Sequence, residues 1–431
     1  MGSEVKIKRK SRLLPILVVI LLVLTIIDDY QGWRFMLLGL GGVWLIAKLW
    51  ARSMGKNLHL KREMRFGWAQ VGDRLEERFT LINKSRLPGI WVAVEDHSDI
   101  PDYQAGVVTG VEAGSSNQWR TQGICSRRGL FTIGPTTLRT GDPFGLYTVK
   151  QYNPRSTTLM VTPPIIPLPE IEVAPGGRVG QGRPRQNAPE RTVSAAGVRE
   201  YVPGDSLRWI HWRTSARKDD FYVRLFESTP AGDWWILLDL EQGIQAGDGA
   251  NSTEEHGVVL AASLADRGLR MGRAVGLAAY SEPFVWLPPK EGDGQRWEIL
   301  RSLALLSPTR HSLAELLNAI RRTLGRYTSL VIITPNANGN WLESLLPLLW
   351  QETVPTVLLL DPKSFGGRGD TRGILEELSK WSIHRYIITP GLLNRPEAQP
   401  GRKGQWEWRI SPTGRAIPVT SPSETPWKAL A

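Results

Sequence analysis

The stretch W-W-I-L-L-D-L, residues Trp234–Leu240, decides the fold of the C-terminal half. Such a continuous apolar run is typical of a strand buried on both faces of a parallel sheet. Downstream, strand and helix patterns alternate at Glu254–Met271 (helix), Ala274–Tyr280 (strand), Phe284–Leu287 (strand), Arg296–Leu306 (helix), Ser312–Leu324 (helix), Ser329–Thr334 (strand), Asn340–Gln351 (helix), Thr356–Asp361 (strand), Thr371–Trp381 (helix) and His384–Thr389 (strand). This alternation predicts an α/β domain over residues 225–395, built on a doubly wound parallel sheet.

Upstream, residues 53–169 have the pattern of short strands without helical periodicity. Leu75–Ile82 alternates between apolar and polar residues, and a turn at Asn83-Lys84-Ser85 separates it from Ile90–Val94. Further short strands are predicted at Gly106–Val111, Gln118–Cys125, Leu130–Ile133 and Thr157–Val161. Several short strands joined by frequent turns predict an all-β domain, a β-sandwich.

The first 52 residues predict a transmembrane helical hairpin. Two apolar runs, Leu13–Ile27 and Trp33–Trp50, are separated by a short loop that contains Asp28 and Asp29. No small-residue cleavage site follows the first run, which argues against a signal peptide. Lys and Arg cluster outside both ends of the pair, so the positive-inside tendency predicts a two-pass protein of the inner (plasma) membrane with its soluble domains in the cytoplasm.

The net charge of +11 belongs mainly to this N-terminal region. Residues 1–62 hold eleven Lys and Arg against three Asp and Glu, so they carry +8 of the total. The remaining +3 is ordinary for a chain of this length, and it argues against nucleic acid as a partner.

Cysteine usage and motif content exclude several classes of protein. Cys125 is the one cysteine in the chain, which rules out an intramolecular disulfide and any metal site with several cysteines. The sequence contains no P-loop, dinucleotide fingerprint or zinc-ligand spacing. We therefore expect no cofactor and no metal.

Residues 170–224 combine a linker with a dense polar and aromatic motif. Pro163–Pro189 is rich in Pro, Gly and Arg and is predicted to be a linker or a long crossing loop. The motif that follows, Gly197–Arg217, is G-V-R-E-Y-V-P-G-D-S-L-R-W-I-H-W-R-T-S-A-R. Earlier in the chain, Arg127–Leu146 reads R-R-G-L-F-T-I-G-P-T-T-L-R-T-G-D-P-F-G-L.

Both stretches resemble the conserved motifs of the bacterial domain of unknown function 58 family. The first signature is carried by Arg127, Arg128, Gly129, Asp142, Pro143, Phe144 and Gly145. The second is carried by Gly197, Arg199, Tyr201, Gly204, Asp205, Arg208, Ile210, Trp212, Ser215, Ala216 and Arg217. The resemblance implies a membrane hairpin, a C-terminal domain like von Willebrand factor type A, and a partner among the MoxR-type AAA+ ATPases. It implies a non-enzymatic scaffold or adaptor in the assembly or maturation of membrane or envelope components.

The second signature has one structural interpretation, one binding interpretation and one catalytic alternative. Asp205 is predicted to cap a short helix that starts at Ser206, with Arg208 and Trp212 on one face. These side chains could clamp two domains together, or they could bind an anion or a partner protein. The alternative is a membrane-tethered hydrolase that uses Asp205, His211 and Ser215, although no group that would orient the histidine is evident.

A cation-dependent adhesion module is the third function considered. Type A domains often hold a divalent cation through D-x-S-x-S after the first strand, and Asp239 stands at the first position. Glu241 and Gly243 replace the two serines, and the later strand ends in Thr334-Pro335-Asn336, where an aspartate would be expected. Because a hard cation needs several oxygen ligands, we predict no functional site there. Residues 396–431 form a tail rich in Pro and Gly, with a hairpin expected near Pro412-Thr413-Gly414.

Overall fold

The computed structural model describes residues 4–64, 67–168, 171–176, 195–201, 210–218, 220–226, 233–324, 328–351, 353–392, 407–410, 416–420 and 428–429. The chain divides into two compact units. The first contains Met1–Thr162 together with Gly401–Ala431, and the second contains Pro163–Pro400. Each unit is described separately below.

The first unit begins with a strand and two helices and continues as an all-β structure. Its helices are α1 (Leu13–Ile27) and α2 (Gln31–Asn57). Its strands before residue 163 are β1 (Glu4–Arg9), β2 (Leu58–Met64), β3 (Trp68–Gln70), β4 (Arg74–Asn83), β5 (Gly89–Asp96), β6 (Val107–Val111), β7 (Ser116–Ile124), β8 (Gly129–Ile133), β9 (Thr136–Gly141), β10 (Tyr147–Asn153) and β11 (Thr157–Thr162).

These strands form layered sheets. A five-stranded antiparallel sheet has the order β1-β10-β9-β5-β6, and a second antiparallel sheet contains β2, β4 and β7. A three-stranded sheet has the order β3-β11-β8. One core cluster joins Leu58 and Leu81 of the second sheet to Val92 and Leu138 of the first, so these two sheets pack face to face.

Alternation in β4 explains which side chains enter the core. Leu75, Phe79 and Leu81 are buried at every second position, as the two-residue period of a strand requires. The same buried series includes Glu77, a carboxylate among apolar residues. The strand thus brings a charged group into the interior of the first unit.

The N-terminal helices emerge from this β structure. Strand β1, which the sequence analysis treated only as a basic flank, pairs with β10. Helix α1 packs against α2, and the last turns of α2 are buried at Ala51, Met54 and Gly55. By length and composition one helix in the described chain, α2, is apolar enough to cross a membrane, whereas α1 is shorter.

The second unit alternates strands and helices after an initial antiparallel pair. Its strands are β12 (Ala195–Glu200), β13 (Tyr222–Phe226), β14 (Trp234–Leu238), β15 (Val275–Ala279), β16 (Val285–Lys290), β17 (Ser329–Thr334), β18 (Val354–Leu360) and β19 (His384–Ile388). Its helices are α3 (Trp212–Lys218), α4 (Thr253–Arg270), α5 (Asp293–Leu305), α6 (Leu313–Ile320), α7 (Leu342–Trp350) and α8 (Arg372–Lys380).

A six-stranded sheet with the order β16-β15-β14-β17-β18-β19 is the centre of this unit. All neighbouring strands are parallel except the edge strand β16, which is antiparallel to β15. Ile236 and Leu238 of β14 point into a core with α4 and α5, while Trp235 and Leu237 point into a core with α6, α7 and α8. Helices therefore cover both faces, which is why β14 is apolar at every position.

The segment predicted as a linker is partly packed onto the second unit. Ile166 and Ile171 are buried in the core that contains α4. Hydroxyl groups of the second unit accept hydrogen bonds from the backbone of this segment. The amide of Ile166 donates to Ser263 Oγ at 3.0 Å, and that of Ala174 donates to Thr356 Oγ1 at 2.9 Å. The described part of the predicted linker is thus an ordered strap, held because its backbone groups find side-chain partners.

The C-terminal tail contributes three short strands to the first unit. They are β20 (Glu407–Ile410), β21 (Ala416–Thr420) and β22 (Lys428–Ala429). Strands β20 and β21 form an antiparallel pair that flanks the predicted hairpin, and β22 pairs with β2.

Candidate functional site

The described part of the second signature forms a compact motif on β12, α3 and β13. Tyr201 follows β12, Ile210 forms an isolated bridge to Val223 of β13, and Trp212 begins α3. The helix predicted to begin at Ser206 thus has its described turns at Trp212–Lys218. Gly204, Asp205 and Arg208, together with the predicted capping bond, lie outside the described residues, as does the side chain of Arg199.

Ser215 connects α3 to β13. Its hydroxyl accepts from the Tyr222 amide at 2.9 Å and donates to the His211 carbonyl oxygen at 3.2 Å. The ring of His211 lies against a different residue, with Nδ1 2.8 Å from Thr214 Oγ1. Ser215 is buried, and its hydroxyl contacts the backbone of His211 rather than its ring. These contacts fold the motif locally and do not align a histidine with a serine nucleophile.

An exposed aromatic group covers the outside of the same motif. Trp212 is 65% exposed and Phe221 is 56% exposed. Their rings meet edge to face at 6.4 Å, and Phe221 makes a similar contact with Tyr201, also at 6.4 Å. Neighbouring apolar side chains of this size on a surface are typical of sites that contact another molecule.

Three cations lie on the same helix as Trp212. Arg213, Arg217 and Lys218 are exposed on α3. Lys218 Nζ lies 5.0 Å from the centre of the Tyr222 ring, within the range of a cation–π contact. We call the surface made by Tyr201, Trp212, Phe221, Arg213 and Arg217 the aromatic–cationic surface. Its chemistry suits an acidic or aromatic segment of a partner.

The first signature builds a turn between β9 and β10. Asp142 is buried, and its carboxylate accepts from the backbone amides of Phe144 at 2.9 Å, Leu146 at 3.2 Å and Tyr147 at 2.5 Å. Gly145 has a φ of +70°, which favours glycine at that position. The Asp-Pro-Phe-Gly sequence therefore fixes a tight corner. Arg128 is buried and Arg127 is exposed beside β8.

Asp239 lies at the carboxyl end of β14, where parallel sheets commonly bind ligands. Its Oδ2 accepts from Thr334 Oγ1 at 2.6 Å, and its Oδ1 accepts from the Glu241 amide at 3.1 Å. Burial raises the pKa of Asp239 to about 6, against the opposing effect of these hydrogen bonds. Thr334 Oγ1 in turn accepts from the Asn336 amide at 2.9 Å.

This donor set does not suit a divalent cation. Both oxygens of Asp239 are bonded to protein groups, and Thr334 Oγ1 donates to Asp239 while it accepts from the Asn336 amide. Across the described residues, no three side chains of His, Cys, Asp or Glu come together in a way that could hold a metal ion. Asp239 thus joins the ends of β14 and β17.

A buried ionic cluster in the first unit was missed by the sequence analysis. Arg62 donates to both carboxylate oxygens of Glu77 at 2.7 Å and to Asp96 Oδ1 at 2.6 Å. Tyr103 donates its hydroxyl hydrogen to Glu77, and burial followed by the Glu77 charge raises the pKa of Tyr103. Because β2 and β4 belong to one sheet and β5 to another, Arg62 connects two layers. The feature of the sequence that could have revealed this cluster is Glu77, a charged residue at an inward-facing position of β4.

Asp73 is a second buried carboxyl group. It accepts from the Gln70 amide at 2.9 Å, and burial raises its pKa to about 7. Burial also raises the pKa of the nearby thiol, Cys125, to about 11. Such a thiol is protonated at neutral pH, so Cys125 has the character of a buried core residue.

Part of this chain is similar to known proteins. Residues 197–365 match the family described as "Protein of unknown function DUF58". The matched region runs from β12 through the aromatic–cationic surface and most of the parallel sheet. The match covers 169 of the 431 residues, and over this region the chain is similar to that family.

Its relatives are themselves uncharacterized. A Mycobacterium tuberculosis protein is 24% identical over 202 residues, which covers 45% of this chain and 63% of the relative. YeaD of Bacillus subtilis is 25% identical over 276 residues, 61% of this chain and 65% of YeaD. The matched region thus spans less than two thirds of the length of either relative.

Solved structures add nothing to the assignment. A Listeria innocua β-glucosidase matches with 16% identity over 25% of this chain and 17% of that chain, at a TM-score of 0.17. A Pseudomonas fluorescens alkylpurine DNA glycosylase covers 32% of this chain and 42% of its own length with 14% identity, at a TM-score of 0.18. Neither likeness carries an argument about fold or function.

Proposed function

We propose that this protein is a membrane-anchored adaptor that acts through protein contacts, with a MoxR-type AAA+ ATPase as its partner. In this proposal it takes part in the assembly or maturation of membrane or envelope components. The observation that carries the proposal is the aromatic–cationic surface, in which Trp212 of the signature and Phe221, four residues after the end of the signature, are largely exposed. Tryptophan and arginine are the residues most enriched among energetically dominant interface contacts.

The C-terminal part of the second unit is proposed to be a domain of the von Willebrand factor type A kind. The order of its strands supports this, because β14 lies centrally, later parallel strands add on one side, and an antiparallel strand closes the other edge. Its strand-end residues Asp239 and Thr334 bond to each other. We therefore propose that it contacts its partner without a bridging cation.

The anchor is proposed to be a two-pass helical pair. Helix α1 follows β1 and α2 leads directly into β2, and both strands belong to the first unit. Because the chain leaves the first unit after β1 and returns to it at β2, two crossings of the membrane are expected. Residues 31–43 of α2 precede the Trp44 contact with Tyr147 of β10 and would span about 20 Å, so a bilayer core of about 30 Å would have to thin locally around this helix. The shorter α1 would require local thinning or snorkelling of Arg12. Basic residues at the β1 end and Asp28-Asp29 in the connecting loop favour a cytoplasmic location for both units.

Pull-down from solubilised membranes tests the adaptor proposal. The full chain should recover the AAA+ ATPase, and Trp212→Ala or Phe221→Ala should weaken recovery by about tenfold or more. Trp350→Ala is the matched control, because Trp350 is 80% exposed on α7 and lies outside the signature. Unchanged melting temperatures would establish that the variants fold. Failure of the wild-type chain to recover an AAA+ ATPase would refute the proposed partner.

Impermeant maleimide labelling of intact cells tests the anchor. Cys125 is buried, so an introduced thiol gives the signal. Tyr30→Cys in the connecting loop should be labelled from outside, whereas Lys84→Cys in the first unit should be labelled only after the cells are broken. The reverse pattern would contradict the proposed orientation, and protection of both in intact cells would contradict the two crossings.

A further inference from the structure

Five cations lie where the two N-terminal helices join the five-stranded sheet. Arg9 ends β1, Lys10 and Arg12 precede α1, and Lys48 and Arg52 lie on α2. Four of them are exposed, and Lys48 is partly exposed. We call this group the basic collar, and nothing in the proposed adaptor function uses it.

Specific contacts bring the collar to one level of the helices. Trp44 Nε1 of α2 donates to the Tyr147 hydroxyl at 2.9 Å, which fixes α2 against the edge of β10. Arg9 is the direct antiparallel partner of Tyr147. Lys48, one turn after Trp44, places Nζ 5.1 Å from the centre of its ring. One cation of β1 and one of α2 therefore lie beside the same aromatic pair.

Protein carboxylates do not neutralise the collar. Within the described chain none of its five members forms an ion pair. Asp142, which accepts from the Tyr147 amide, is buried and also accepts from the Phe144 and Leu146 amides. Several like charges at one level repel one another, and an anionic ligand at that level would relieve the repulsion.

We infer that the basic collar binds the headgroup phosphates of anionic phospholipids. The inference rests on the proposed membrane anchor and adds a lipid specificity to it. The apolar surface of α1 begins one residue after Arg12, with Leu13, Ile16 and Leu17 exposed. A lipid whose phosphate contacts Arg12 can lay its acyl chains along that surface. A soluble phosphate would use the cations and leave this surface uncovered. Tryptophan and tyrosine beside the cations are typical of the membrane interface.

Electron paramagnetic resonance of spin-labelled lipids tests the inference. The purified full chain is reconstituted in phosphatidylcholine vesicles with trace spin-labelled phosphatidylglycerol or phosphatidylcholine. At low salt we expect phosphatidylglycerol to associate about fivefold more strongly. The ratio of phosphatidylglycerol association to phosphatidylcholine association should approach one at about 0.5 M salt, where charges are screened within a few ångströms. It should also fall in Arg9→Gln/Lys10→Gln/Arg12→Gln.

The control removes three exposed cations of the second unit, as Lys290→Gln/Lys363→Gln/Lys380→Gln, and should keep the preference. Protease accessibility of the soluble part verifies that all variants have the same orientation. Equal association of both lipids with a chain that floats with the vesicles would overturn the inference and leave the anchor intact. A chain that does not float would refute the anchor and the inference together. Loss of the preference on adding soluble glycerol phosphate would assign the collar to a free anion instead.

Discussion

Replacing Arg62 by methionine should destabilise the first unit more than any single surface change. Methionine keeps an unbranched apolar stem, but it is shorter than arginine and lacks the guanidinium group, whose carbon lies 4.9 Å from the centre of the Phe79 ring. The cation is lost, and Glu77 and Asp96 then remain buried without a positive partner. The Tyr103 hydroxyl still donates to Glu77, but it supplies no charge.

The magnitude follows from burial of the ionic cluster. The Arg62 side chain is 4% exposed, and those of Glu77 and Asp96 are 0% and 5% exposed. Removing one partner of such a buried pair costs about 3–5 kcal/mol. The Arg139–Glu95 pair at 2.8 Å is the matched control, because its side chains are 43% and 39% exposed. Arg139→Met should change stability by about 0.5 kcal/mol.

Hydrogen exchange measured by mass spectrometry on the full chain in detergent resolves this difference. Peptides covering β2 and β4 should exchange about 100-fold to several thousand-fold faster in Arg62→Met, since each factor of ten corresponds to about 1.4 kcal/mol. Arg139→Met should change exchange by about twofold. Unchanged protection of β2 and β4 in Arg62→Met at pH 7 would refute the role assigned to the cluster.

Three further predictions concern single polar groups. Burial raises the pKa of Asp73 to about 7, so folding favours its protonated form. The stability of the first unit should be greatest below about pH 4 and should decline as pH rises to about 7. Asp73→Asn should therefore be more stable than wild type at pH 8 by about 4 kcal/mol, and this pH dependence should be absent from its thermal melts. Asp142→Ala leaves three backbone amides of the β9–β10 turn without their acceptor and should cost about 3 kcal/mol, with faster amide exchange confined to that turn. Ser215→Ala leaves the Tyr222 amide without its acceptor and should cost about 1–3 kcal/mol by the same exchange measurement. If Ser215→Thr left the stability unchanged, that result would contradict tight packing around the Ser215 hydroxyl.

The sequence was informative where periodicity is set by burial. The strand predicted at Ser329–Thr334 is β17, and the helix predicted at Thr371–Trp381 matches α8 to within one residue at each end. Both lie in the second unit, where strands covered on two faces are continuously apolar and helices show one apolar face. Local residue pattern and tertiary packing agree there.

Prediction failed where tertiary contacts decide the structure. Strand β1 consists of alternating charged and apolar residues that resemble a basic flank, and it becomes a strand because β10 offers a pairing edge. The segment after Pro163 was predicted to be a linker or a long crossing loop, and its sequence does not show that hydroxyl groups from distant parts of the second unit bind its backbone. No local pattern in either segment encodes these partners.

The candidate site was located only in part. The signature predicted that Trp212 is a functional or clamping residue, and its exposure favours contact with a partner. His211 and Ser215 are four residues apart, a spacing compatible with a dyad, but the hydroxyl of Ser215 bonds backbone groups. The ionic cluster was missed because its members come from β2, β4 and β5 and only the fold brings them together.

Site-specific photo-crosslinking at position 212 in native membranes tests the adaptor claim most directly. A photoreactive amino acid replaces Trp212, and crosslinked products are identified by mass spectrometry. The account predicts a crosslink to a MoxR-type AAA+ ATPase, which disappears when the reactive group is placed instead at Trp350. Crosslinks from position 212 only to lipid, or only to another copy of this chain, would contradict the proposed partner surface.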